Sequence, residues 1–198
     1  MSNQQSGRIP YNMISEPACV FFTKDYHLTQ FLGALAVHTK NGLQPFVPLT
    51  VDLVLCRAVD NFLAYTSDLL TLVYKTKAGG RKPRELSRKG IDGMDAYVKA
   101  QLKFALFAGS ADLARVVRVV ETRNLFTHNR GIISPRFLER VPGFAGKVGE
   151  HIQLPVLDVA EDLVFLQKSV QDLDFRTTRT FNLPKPFPLF GRIPPKPA

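Results

Sequence analysis

An arginine, an amide and an imidazole lie close together in Glu121-Thr122-Arg123-Asn124-Leu125-Phe126-Thr127-His128-Asn129-Arg130-Gly131. A histidine gives or takes a proton near neutral pH. An arginine holds a phosphate oxygen and stabilises charge that builds up in a transition state. An asparagine orients either one, so these types together point to chemistry on a phosphate. The spacing puts them on a helix. Leu113, Val116, Val117 and Val120 recur at helical period from a start near Ser110, and Asn124 and then His128 continue that stripe. Arg123 precedes His128 by five residues, about 7.5 Å along a helix axis, which a long arginine side chain can cover. Gly131 supplies a left-handed stop, Arg130 suits the negative end of the helix dipole, and Ser110 offers a cap at the start. The same residues also make an ordinary polar helix end. In a chain with 14 arginines and 4 histidines, an Arg with a His four to six residues on arises about once by chance.

The stretch from Arg123 through His128 to Gly131-Ile132-Ile133, closing an apolar helix, resembles the signature of the HEPN superfamily (higher eukaryotes and prokaryotes nucleotide-binding domains). In that family an Arg, usually followed by a polar residue, precedes a His by a short helical interval. The resemblance spans about ten residues, agrees with the type and order of the flanking helices, weakens over residues 1–45 and is absent from the tail. It implies an all-α domain, commonly dimeric. In many members that domain is a metal-independent endoribonuclease. The chain looks most like stand-alone bacterial and phage members tied to defence, stress or toxin–antitoxin systems.

The resemblance also implies roles for the residues. The substrate's own 2′-hydroxyl attacks the neighbouring phosphorus, and His128 acts as general acid or base. Arg123 stabilises the phosphorane-like transition state. Asn124 orients His128 or binds a phosphate oxygen. The products carry a 2′,3′-cyclic phosphate and a 5′-hydroxyl. No cofactor is expected, and no metal, since no carboxylate cluster stands out to hold one. The implied partners are RNA, a second copy of the chain and a protein such as an antitoxin. The alternative is a non-catalytic HEPN module that dimerises and binds a protein or nucleotide, because fold does not establish activity. A third reading is a plain basic RNA- or DNA-binding protein.

Composition bounds these readings. The length suits one domain with a full core. Cys19 and Cys56 make neither a disulfide framework nor a zinc motif, which points to a reducing, cytoplasmic setting, with Cys56 a buried thiol. Residues 1–10 are polar and show no signal peptide. The longest apolar region, Val51 to Tyr74, carries Asp52, Arg57, Asp60, Asn61 and Asp68 and does not read as a membrane span. The net charge of +9 favours polyanions.

Five main helices are expected to position the site. Residues 1–16 read as a flexible leader, and Pro17 to Thr23 as a strand or packed lead-in to a helix begun by Thr23 or Asp25 and ended by Asn41-Gly42. His27 and His38 fall near its two ends. After a proline-marked loop from Leu43 to Thr50, a helix from Val51 to Lys75 carries an apolar face broad enough for several partners, either core or partly a dimer seam. Lys75 to Lys89 holds seven cations against Glu85 alone, made mobile by Gly79-Gly80, with Pro83 opening a helical turn. This run is either a solvated face or a phosphate-contacting surface, with Arg81, Lys82, Arg84, Arg88 and Lys89, and with Arg130 beyond it, as RNA-binding candidates. A helix from Asp92 to Phe107 precedes the motif helix, on which Glu121 reads as a solvated partner of Arg118 or as a contributor to the site.

Ser134-Pro135 opens a short helix to Arg140. Gly146 to Leu154 makes an extended turn carrying His151, and a last helix runs from Val156 to Phe175 with Leu157, Ala160, Leu163, Leu166, Val170 and Leu173 inward. Residues 176–198 form a Pro-rich tail, with six prolines between Pro184 and Pro197 and aromatics among them, suited to disorder or to lying in a groove. The expected architecture is therefore one HEPN-like all-α domain over 17–175. A two-fold axis near the motif would bury the face of Leu113, Val117 and Val120.

Overall fold

A computed structural model describes residues 13–38, 47–78, 80–184 and 187–188. The fold is all-α. Among the described residues are six helices: α1 (Glu16–His38), α2 (Val47–Ala78), α3 (Ile91–Leu102), α4 (Ser110–Asn129), the short α5 (Pro135–Arg140) and α6 (Val156–Phe181). A 3-10 turn covers Arg84–Arg88, and β1 (Met13–Ile14) pairs antiparallel with β2 (Phe187–Pro188). No described helix is long and apolar enough to cross a membrane.

The long helix α2 is the centre of the bundle. Val51, Leu55, Ala58, Phe62, Tyr65, Leu69 and Val73 are buried along it, and Val54, Val59 and Leu70 widen the buried face. That breadth follows from three neighbours, because α1, α6 and α4 all pack on α2. The face of α4 that begins at Leu113 is covered within the chain too. Val117 and Val120 are buried, and Leu113 packs against the same core. This corrects the expectation that a second copy buries it.

Several boundaries differ from those read in the sequence, each for a local reason. Pro17 to Thr23 is helical, since a proline in the first turn lacks only an N–H that would be unbonded anyway. Pro48 sits likewise in the first turn of α2, which starts inside the expected loop. Gly109, not Ser110, occupies the cap position of α4, with no side-chain bond. The helix expected to reach Phe107 stops at Leu102 with Lys103 left-handed. The buried Asp95 carboxylate accepts the Leu106 and Phe107 N–H groups at 2.6 and 3.4 Å, holding a non-helical turn that buries Phe104, Leu106 and Phe107.

The last helix continues to Phe181 and ends at left-handed Asn182, just before Pro184. Its inward stripe starts at Val159 and runs through Leu163, Leu166, Val170 and Leu173. Leu157 falls off that stripe and is 74% exposed. The end of the expected leader is tied down: Ser15 donates its N–H at 3.2 Å and its hydroxyl to the buried Asp174 on α6. The rest of the leader over 1–12, the Asn41-Gly42 stop, Gly79 and most of the tail beyond Pro184 lie outside the described residues.

Two hydrophobic cores result. The larger joins α1, α2, α3, α4 and α6. The smaller, Leu125, Ile133, Phe137, Val141 and Ile152, lies under α5. The helix α4 serves both, with Val116 to Val120 in the first and Leu125 in the second. Glu121, Arg123 and Asn124 therefore sit at the seam between two apolar clusters.

Candidate functional site

The end of α4 is fixed by backbone geometry. Arg130 and Gly131 are both left-handed, at φ 54° and 77°, and the Gly131 N–H closes on Leu125 O at 3.0 Å. A Cβ on Gly131 would lie 2.8 Å from the His151 ring and 2.9 Å from Phe126, so only glycine fits. The chain then runs extended. The Ile133 N–H donates to Glu150 O and the Ile152 N–H to Gly131 O, both at 2.8 Å, pairing Ile132 with His151. This is the extended turn expected over 146–154. It brings His151 against Phe126, with ring centroids 6.2 Å apart. On α2, burial pushes the Asp52 carboxyl up, and nearby His151 partly offsets this. Ser134 caps α5 as expected, its hydroxyl accepting the Phe137 N–H at 3.2 Å.

A chain of polar contacts crosses the seam. Arg123 Nη2 donates to Asp60 Oδ1 on α2 at 2.6 Å, and its Nη1 to Asn124 Oδ1 at 3.1 Å. Asn124 Nδ2 donates to Glu121 Oε2 at 3.4 Å. Glu121 Oε1 accepts from Arg140 Nε at 3.0 Å, and the same guanidinium forks onto Asp92 at 2.7 and 2.9 Å. Four helices are joined in this way. The two carboxylates raise the Arg140 guanidinium above its ordinary value, the Asp92 bond most. In return Arg140 pulls Asp92 down to about 2. Glu121 is thus a partner of Arg140. Arg118 is taken instead by Asp162 at 2.6 Å, joined by Arg115 at 3.2 Å.

His128 lies elsewhere. It is exposed and lines a cleft of about 290 Å³ between the last turns of α4 and the start of α5. Glu121, Asn124 and Asn129 share the α4 wall, Ser134 and Arg136 the α5 side, and Leu125 and Phe137 the floor. Within one chain, Arg123 and His128 do not face one another. Five residues turn a helix by about 140°, which points the arginine at α2 and the histidine at α5. Asn124 touches both places, as acceptor for Arg123 and as lining beside His128. Arg123 Nε is buried without a partner among the described residues. Cys56 is half-buried rather than fully buried. Burial pushes its thiol up, while a bond with Thr127 and the Arg123 charge pull it down.

In the basic stretch after α2, Lys82 packs back on that helix. Its ammonium reaches back to Ser67, onto O at 3.1 Å and onto the hydroxyl, and burial pushes its pKa down. Lys82 is therefore turned inward, whereas Arg81, Arg84, Arg88 and Lys89 are exposed, with Lys89 5.7 Å from the Tyr97 ring centre. Arg130 is exposed at the end of α4. Among the described residues no group of three or more His, Cys, Asp and Glu is placed to hold a metal ion.

Asp60, Asp92, Arg136 and Arg140 are the members of this region to which the sequence assigns no site role. Asp60 gains its partner from the packing of α2 on α4, and Asp92 gains its partner from Arg140 on α5. No family model, curated protein or solved structure matches the chain.

Proposed function

We propose that the chain is a HEPN-type, metal-independent endoribonuclease acting as a homodimer in the cytoplasm, in a defence, stress or toxin–antitoxin setting where a protein partner restrains it. His128 handles the proton: it takes the 2′-hydroxyl proton or delivers one to the 5′-oxygen as the bond from phosphorus to that oxygen breaks. The new bond joins the 2′-oxygen to phosphorus, leaving a 2′,3′-cyclic phosphate and a 5′-hydroxyl. Arg123 stabilises the extra charge on the phosphorus oxygens. The observation that carries this reading is the position of Asn124, bonded to Arg123 on one side and lining the His128 cleft on the other. Arg81, Arg84, Arg88, Lys89 and Arg130 supply the sequence-blind attraction for RNA. The test is incubation of the purified protein with RNA in excess chelator, followed by analysis of the ends. Cyclic phosphate and 5′-hydroxyl ends, absent with His128→Ala, are expected. RNA left intact, or ends of other chemistry, overturns the reading.

A second reading has its own observation. Arg123 is held by Asp60 at 2.6 Å with its Nε buried, which is how an arginine that ties two helices together behaves. In a non-catalytic HEPN interaction module that is its whole role, and RNA survives the same incubation.

A further inference from the structure

The cation that shares the His128 cleft is Arg136, not Arg123. Arg136 stands in the first turn of α5, is exposed, and has no hydrogen bond or ion pair among the described residues. The one carboxylate lining the cleft among those residues, Glu121, is already engaged by Arg140 Nε at 3.0 Å and by the Asn124 amide at 3.4 Å. The cleft thus offers an anion one free guanidinium and one imidazole. The Asn129 amide is turned back onto Ile132 O, which fixes the wall behind them. The floor, Leu125 and Phe137, is buried and apolar, so a group seated there is partly shielded and its attraction to a cation is stronger than in open water.

We propose that this cleft is a phosphate subsite in which Arg136 grips the non-bridging oxygens of a phosphodiester beside His128. The proposal rests on the ribonuclease reading for what the subsite serves. Arg136 holds the phosphate so that His128 meets a bridging oxygen. Arg123 approaches the same group only from a second subunit or after release from Asp60. A planar guanidinium suits two phosphate oxygens at once, which a lysine does not reproduce.

The test has two independent arms. In the first, inorganic phosphate and a 3′-nucleoside monophosphate are titrated into the full chain while the His128 ring signals are followed by NMR. The ring is assigned by its loss in His128→Gln. Both ligands are expected to move these signals in the wild type. The midpoint should rise at least several-fold in Arg136→Ala, less in Arg136→Lys, and not at all in Arg179→Ala on α6. In the second arm, RNA cleavage is measured. Arg136→Ala is expected to lower kcat/KM about 10²-fold, with Arg136→Lys recovering part of it. Circular dichroism checks that the exposed substitution leaves the fold intact.

If phosphate moves His128 in an Arg136-dependent way but the wild type cuts no RNA, the subsite stands and the ribonuclease reading falls. If the wild type cuts RNA while Arg136→Ala cuts equally well and binds phosphate equally well, the ribonuclease reading stands and the subsite falls. Ring signals unmoved by either ligand also overturn it.

Discussion

Arg123 and Asp60 lie 2.6 Å apart, joining the motif helix α4 to the central helix α2. The pair is partly exposed, with 22% and 40% of the two side chains open to solvent, so its own contribution to stability is about 1 kcal/mol or less. The contact decides what an arginine substitution means, because Arg123→Ala removes a helix tie and a candidate charge stabiliser together. Asp60→Asn separates the two. It keeps the shape, weakens the pairing and leaves the guanidinium in place. Arg123→Ala is expected to lower cleavage about 10²- to 10³-fold. Asp60→Asn should leave cleavage within a few-fold of wild type, with a similar small loss of stability in both variants. Equal losses of cleavage in both would mean that Arg123 acts by tying helices.

Arg140 predicts an acid-sensitive fold. Its guanidinium joins Asp92 and Glu121, and it holds Asp92 at about 2, below the ordinary 3.8. A carboxylate with a depressed pKa stabilises the fold above its unfolded value, and that stabilisation is lost as pH falls. The relevant window runs from about 4 down to 2. Asp92 is partly exposed, so its share is about 1 kcal/mol at most after screening. Urea midpoints across this window should fall in the wild type and fall less in Arg140→Met. At neutral pH, Arg140→Met should cost about 1–3 kcal/mol, since the Glu121 side chain is only 12% exposed and loses its cation. A neutral-pH midpoint equal to wild type would show that the four-helix tie contributes nothing.

Much of the helical frame is legible in the sequence because apolar period reports burial directly. The stripe through Val51, Leu55, Ala58 and Phe62 and the cap at Ser134 are both where pattern and side-chain chemistry place them. Helix ends proved harder. Pro17 and Pro48 read as breaks, yet a first-turn proline is compatible with a helix, and Asp95 ends α3 through contacts made eleven and twelve residues away. The candidate residues are legible in the sequence by type, whereas the directions of their side chains are not. Arg123, Asn124 and His128 are near one another along α4, but the turn of the helix sends Arg123 to Asp60 and His128 to the cleft that Arg136 also lines. Neither Asp60 nor Arg136 carries a local signal, because each is assigned by how α2 and α5 pack.

The basic stretch divides into two kinds of cation. Lys82 is turned onto Ser67, whereas Arg81, Arg84 and Arg88 face solvent. Replacing the three arginines by glutamine should weaken RNA binding. It should also flatten the plot of log affinity against log salt, by about 0.7 for each single-strand phosphate that is no longer neutralised. Lys82→Met should change stability more than the salt slope. A slope unchanged by the triple substitution would leave the stretch as a solvated face.

The directions of Arg123 and His128 bear most on subunit assembly. In one chain they diverge by about 140° around α4, so a single subunit does not present both to one phosphate without rearrangement. In the proposed homodimer, a two-fold axis near the exposed end of α4 would resolve this by setting Arg123 of one copy against His128 of the other. The apolar face of Val117 and Val120 takes no part, being buried in the chain's own core. Mixing an Arg123→Ala subunit with a His128→Ala subunit tests the arrangement. Each homodimer lacks one of the two groups at every site, while a mixed dimer keeps one intact composite site. Random mixing should restore about a quarter of wild-type activity from two nearly inactive proteins. Light scattering at the assay concentration must show a dimer. If mixing restores nothing although subunits exchange, either both groups act within one chain after Arg123 leaves Asp60, or each site needs both residues of both chains. Asp60→Asn separates these outcomes, because the weakened pairing raises cleavage by up to a few-fold in the first case and leaves it unchanged in the second.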